Sequence, residues 1–529
     1  MSRASHWVFA GLFVLLVLAR LPSLAQPAGG DQGLYAYVGQ RILAGELPYR
    51  DAWDQKPPAV HYAYAAMLAA WPDLRVVAAA DLLLTAAAAL LLLALGRGFG
   101  VRGAGETAAL LHLALANPIF SRVGGVRLRA QCEVFVALLV TLAMLLAWRA
   151  ARKRVDASRF RADAGAALAL AAGAAVGLAF LFKYNAGAYA LPVALAAWFG
   201  AERPGVPWRL WAWMALGAAA PVAVMLGVFA WGGALADLYD ATYAYNVSYS
   251  GETYRDAWHF LSYLVSFPVA HARVDSLWWL GGLGCATLVA LSVSRRLYIV
   301  VPAWVAAACV SIAVNGSRGL PQYFVQAWPA LSLAAGLVLA LLWPRLSRIP
   351  RLVVVALLVT GVWRVTTIPK GIENTWYDAH AIAGRIPREA YLERFGRYQA
   401  GDKYSAIAVE QLAGYLRAHT APEDRVLVFG FSPGALVEAH RRSASRFFWS
   451  RPVIVGFREG TPGYGVEGLI GELDRAHTAL VVLQRHDWDP DGPDSFTWFT
   501  DQPRLSAWLD AGFTFETDLG PFAIWRRRP

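Results

Sequence analysis

Charge is scarce in this sequence. Asp, Glu, Lys and Arg supply 16% of its 529 residues and hydrophobic residues 57%, whereas an average soluble domain is roughly 25% charged. That balance excludes an ordinary soluble globular protein. Cysteine is nearly absent. Cys132, Cys285 and Cys309 all lie inside apolar runs, which excludes a disulfide framework. No internal repeat is visible, and that counts against a secondary transporter built from paired halves. Nor is there a glycine-rich loop of the nucleotide-binding kind.

What the chain does have is apolar length. Runs long enough to cross a hydrocarbon core recur at 7–25, 74–95, 104–120, 131–148, 164–182, 184–200, 210–233, 277–293, 297–314, 323–343 and 352–368, predicting about eleven transmembrane helices. The first could be mistaken for a cleaved signal peptide, but it exceeds the usual signal core and many more spans follow. The net charge of +11 does not mark a nucleic-acid binder, because the basic runs at 96–103, 149–161, 295–296 and 344–351 fall on one side if the helices alternate. The positive-inside bias makes those loops and the N-terminus cytoplasmic. Loops 26–73, 234–276 and 315–322, and the tail after 369, are then external. After residue 369 the pattern changes. Helices at 404–419, 464–476 and 503–511 alternate with strands at 425–429, 478–483, 513–517 and 521–526, the mark of a small α/β sheet. The expected fold is a polytopic α-helical membrane domain at 1–369, followed by an external α/β domain at 370–529.

The first external loop, 26–73, concentrates the chemistry. Leu34, Tyr35, Val38 and Ile42 share one helical face, predicting a short amphipathic helix over 32–44 lying on the membrane interface. "DAWDQKPPAVHYAYA" (51–65) then sets Asp54 and Lys56 beside apolar sequence, with Pro57-Pro58 limiting where a helix restarts. Asp31 follows the first span and Lys56 precedes the next apolar stretch. A carboxylate at that depth can take a proton from an attacking hydroxyl. An ammonium there can stabilise charge on a departing phosphate. The blander readings are a helix cap for Asp31 and a snorkelling side chain for Lys56.

This arrangement, an Asp-led amphipathic helix after the first span and a Lys-Pro-Pro at the far end of the same loop, resembles the GT-C glycosyltransferases. It is most similar to the branch of dolichyl-phosphate-mannose–protein mannosyltransferases and lipid A aminoarabinose transferases. The resemblance covers the membrane domain and its external tail. It implies transfer of a sugar from a polyprenyl-phosphate carrier to a glycan, lipid or protein acceptor, with Asp31 as catalytic acid-base residue and Lys56 as phosphate ligand. The second acid common after the first is here Gln32. "LRAQCEVF" (128–135) makes Glu133 a matching acidic position, and "GLAFLFKYNAG" (177–187) makes Lys183 a second phosphate contact. "SRGLPQYFVQAWPAL" (317–331) keeps Arg318 and Tyr323, with Gln322 where a histidine is usual. Ion pairing or snorkelling is the competing reading of Glu133 and Lys183.

Other features compete for attention. Asp81 inside the second span calls for a partner that the sequence does not name. His61, Tyr62 and Tyr64 either line a substrate groove or anchor at the interface, as do Tyr239, Tyr243, Tyr245, Tyr249 and Tyr254. Gly430-Phe431-Ser432-Pro433-Gly434 fits a hydrolase nucleophile elbow, but Pro433 lacks the backbone N–H that an oxyanion hole requires. "HDWDPDGPD" (486–494) opens like a calcium loop with Asp487, Asp489, Asp491 and Gly492, but has Trp498 at the twelfth position, so a solvated acidic turn is expected. The expected function is an inverting glycosyltransferase of a bacterial plasma membrane with its tail in the periplasm. Asp31 is catalytic, Lys56, Lys183 and Arg318 bind donor phosphate, and Asp54, His61, Glu133 and Tyr323 support them. Metal dependence stays open, and a lipid or anionic-solute transporter is the alternative.

Overall fold

The computed structural model describes residues 3–120, 125–153, 164–200, 205–251, 253–396, 404–488 and 493–529. Residues 154–161 of the basic run, and Asp489, Asp491 and Gly492 of the acidic one, lie outside that set. The chain opens with helices α1 (Arg3–Leu18), α2 (Gly30–Leu43), α3 (Ala59–Ala70), α4 (Arg75–Gly98), α5 (Ala104–Leu115), α6 (Cys132–Arg152), α7 (Ala164–Phe182), α8 (Ala190–Phe199) and α9 (Trp208–Trp231). It divides into two compact units. One holds Met1–Ser23, Ala79–Val228 and Val247–Asp378; the other holds Leu24–Ala78, Phe229–Asn246 and Ala379–Pro529.

The first unit is helical throughout the described residues. Among them, seven helical stretches are long and apolar enough to span a bilayer, or up to nine if two bent pairs each count once. Those pairs are Ala257–His271 with Ser276–Ser292, bent by 114°, and Arg348–Val365 with Ile368–Ile382, bent by 61°. The expected count of about eleven included 104–120 and 184–200. The corresponding α5 and α8 have 12 and 10 residues, too short alone at 1.5 Å per residue. In hydrocarbon a helix satisfies its own backbone, so apolar runs fold this way and associate by close packing. α7 and α9 meet through Gly173, Gly177 and Gly217, where a Cβ would collide with the backbone of Met214, Ala218 and Leu170. Asp81 finds its partner here. Its Oδ2 lies 3.7 Å from an Arg20 guanidinium nitrogen and its Oδ1 accepts the Ala130 N–H at 3.1 Å, so a lone acid in a span becomes one half of a buried pair.

The second unit is built on a five-stranded sheet, β1 (Arg425–Phe429), β2 (Arg442–Ser443), β3 (Leu480–Gln484), β4 (Phe513–Leu519) and β5 (Phe522–Arg527), in the order β2-β1-β3-β5-β4. β1 pairs in parallel with β2 and β3, and β5 runs antiparallel between β3 and β4. β1 and β3 are apolar runs buried along their length, as central strands covered on both faces are. Asp487, expected in a solvated turn, is buried. Its carboxylate accepts the Ser495 N–H at 2.9 Å and hydroxyl at 2.6 Å.

The interfacial helix expected over 32–44 is replaced by a buried one. α2 covers the span, but Gln32, Gly33, Leu34, Tyr35, Ala36, Tyr37, Val38 and Gly39 are all buried. The covering comes from α3 on one side and from the Gly434–Ala439 helix on another. That second contact joins residues about 400 positions apart, so local periodicity carries no trace of it.

Candidate active site

Asp31 lies in the first turn of α2, whose N-cap is Gly29 with no side-chain cap. The carboxylate is therefore not the N-cap, although the first turn favours an anion through the helix dipole. α2 stops where Gly45 takes a left-handed φ of 83° and the Glu46 N–H bonds the Arg41 carbonyl at 3.0 Å, the usual glycine-terminated helix end. The chain then turns through Pro48 and Tyr49 toward the segment that carries Asp54 and Lys56.

Side chains from outside that segment hold it in place. The Tyr49 hydroxyl donates to the Lys56 carbonyl at 2.8 Å and Asn246 Nδ2 donates to the Gln55 carbonyl at 2.6 Å. The Gln55 N–H donates to Asp54 Oδ1 at 2.7 Å. Asp54 itself is fully buried. Burial lifts its carboxyl from 3.8 to about 7, against the nearby Lys56 ammonium, while Asp31 adds an upward push. Asp31, Asp54 and Lys56 therefore form one electrostatic group.

His61, in the first turn of α3, is also fully buried, with Nε2 3.4 Å from Asp54 Oδ2. It is neither an interfacial anchor nor an open groove residue. Burial draws the imidazole down to about 3, so at neutral pH it meets Asp54 uncharged.

Asp54 has a testable consequence. A carboxyl whose folded pKa exceeds its unfolded value favours the fold while neutral, so its contribution is lost as pH rises from about 3.8 to about 7. Thermal unfolding in nanodiscs is expected to show Asp54→Asn losing less stability than the wild type across that window. Parallel curves would refute the burial argument.

In the membrane unit three other expected residues come together. Glu133, in the first turn of α6, pairs with Lys183, which follows the end of α7. The Lys183 ammonium also lies 4.1 Å from the centroid of the buried Tyr323 ring, a cation–π contact. A polar network missed in the sequence lies alongside. Gln326 Oε1 accepts from Tyr189 at 2.9 Å and Ser311 at 2.7 Å, and its Nε2 donates to the Tyr323 carbonyl at 2.8 Å. Arg318 lies 3.6 Å from the Tyr249 ring centroid and donates to the Tyr249 carbonyl at 2.8 Å. Tyr49 and Asn246 were also missed. Nothing local marks either of them as supports for Lys56. Among the described residues no group of three or more His, Cys, Asp or Glu is arranged to hold a metal ion.

No family model matches the sequence, and no curated protein matches it. Solved structures do. ArnT from Cupriavidus metallidurans bound to undecaprenyl phosphate superposes with a TM-score of 0.57 at 15% identity, covering 99% of this chain and 98% of that one. The apo state of the same protein gives 0.51 at 18% identity, with the same coverage. The archaeal oligosaccharyltransferase AglB from Archaeoglobus fulgidus, in complex with an inhibitory peptide and a dolichol-phosphate, gives 0.50 at 13% identity over all of this chain and 75% of that one. This chain has the fold of the GT-C glycosyltransferases. With its apolar helices, that makes it an integral membrane protein.

Proposed function

We propose that this protein is a membrane glycosyltransferase that moves a sugar from a polyprenyl-phosphate carrier to an acceptor at the outer face of a bacterial plasma membrane. The observation that carries the reading is the grouping of Asp31, Asp54 and Lys56 in one compact unit of a GT-C fold. Asp31 takes the proton of the acceptor hydroxyl as its oxygen attacks the anomeric carbon. The bond from that carbon to the phosphate oxygen breaks, and the phosphate leaves with its developing charge facing Lys56. A single displacement inverts the anomeric configuration. His61 and Asp54 act behind these groups, since both are buried. The tail lies in the periplasm.

The test is a panel of radiolabelled undecaprenyl-phosphate sugars given to the purified protein in nanodiscs, with an envelope extract as acceptor. Loss of label from one carrier is the expected result. Flux of a lipid or anion without glycosyl transfer would replace the reading with a transporter.

A further inference from the structure

We infer that the turn Gly430–Gly434 of the C-terminal domain is the seat that positions Asp31, an inference resting on the reading of Asp31 as the base. Its glycine–serine pattern resembles a nucleophile elbow, but Ser432 is 2% exposed and the helix that follows has only six residues. The spacing serves packing instead. A Cβ on Gly33 would come within 2.8 Å of the Gly434 nitrogen, a backbone atom, so only glycine lets α2 approach the turn this closely. A Cβ on Gly30, the residue before Asp31, would come within 2.5 Å of the Phe431 ring.

The turn is fixed from behind. The Phe431 N–H donates to Gln484 Oε1 of β3 at 2.8 Å, and the Ser450 N–H donates to the Gly430 carbonyl at 3.2 Å. Further along, the Ser443 N–H donates to the Tyr37 hydroxyl at 2.8 Å and Gln40 Nε2 donates to the Val437 carbonyl at 3.3 Å. The same domain also holds the Lys56 end of the loop. The Trp53 N–H donates to the Arg446 carbonyl at 2.9 Å, and Trp449 Nε1 donates to the Trp53 carbonyl at 3.0 Å. A chain of contacts thus runs from the sheet through Gln484 and the turn to the first turn of α2. The tail segments of this unit position both ends of the loop, with the Phe431 ring set against Gly30 beside Asp31.

The backbone at Gly30 makes the test discriminating. Gly30 opens α2 without a left-handed φ, so alanine meets no backbone strain there and a loss in Gly30→Ala points to the ring it meets. Gly30→Ala is expected to lower turnover of the undecaprenyl-phosphate sugar by about 10- to 100-fold, the cost of a displacement near 1 Å. It should also speed amide exchange across residues 30–43. Adding Phe431→Ala should restore both readouts to the level of Phe431→Ala alone, with Phe431→Leu as a milder second background. Unchanged turnover and exchange in Gly30→Ala, or failure of both backgrounds to rescue, overturns the inference. If the wild type turns over no donor, the transfer reading fails while the exchange arm still decides whether the turn seats α2.

Discussion

Asp31→Asn is expected to lower turnover of the lipid-linked donor by about 10²–10⁴-fold, the usual contribution of a positioned general base. The amide keeps the size of the carboxylate and cannot take the acceptor's proton. Donor KM should move little, because the carboxylate acts on the attacking hydroxyl and not on the carrier. The competing account, an anion placed to favour the start of α2, predicts something much smaller. A charge in the first turn of a helix contributes about 0.3–1 kcal/mol, and its loss would lower the melting temperature without touching the chemical step. Turnover and thermal unfolding of the same variant in nanodiscs separate the two. Full turnover with a lowered melting temperature would reduce Asp31 to a helix-end residue.

Lys56→Gln is expected to cost about 10²–10³-fold in kcat, the loss seen when one donor to developing negative charge is removed. Lys56→Arg should recover only part of it, because a planar guanidinium on a different stem does not reproduce a compact ammonium. A snorkelling lysine would behave differently, since either cation would serve and the neutral variant would still turn over. The variant also has an internal control. Lys56 is the largest influence holding the buried Asp54 carboxyl down, so removing it should push the Asp54 transition higher. The pH dependence of stability in Lys56→Gln should therefore extend to higher pH than in the wild type. Wild-type kcat in Lys56→Gln would exclude a role in stabilising the departing phosphate.

Much of the fold was legible because it follows from local pattern. The strand expected at 425–429 is Arg425–Phe429, and the helix expected at 404–419 is Ala406–His419. Both are marked by apolar spacing that any covering partner would demand. The membrane helices were legible for the same reason, and α5 and α8 show its limit. An apolar run reports that a segment is buried somewhere, not that a regular helix extends along its whole length.

The candidate site was legible only as a set of residues. Asp31, Asp54 and Lys56 drew attention as charges against apolar sequence, but nothing local said that Asp54 would be the buried one. It is fully buried, with the His61 ring of α3 3.4 Å from its carboxylate. Asn246 and Tyr49 gave no signal, since an asparagine or tyrosine in a loop has many uses. Arg20 and Asp81 are 61 residues apart, and their pairing depends on how α1 and α4 pack.

The sequence by itself determined that this is a membrane protein ending in an α/β domain, and that the loop after its first span carries an acid and a lysine. Those properties follow from composition and short-range periodicity, which every residue contributes to independently. Only the tertiary structure decided that α2 is buried instead of lying on the interface, and that Gly33 rests on Gly434. The reason is that which face of a helix is covered, and by what, depends on contacts between residues hundreds of positions apart, and such contacts have no period to read.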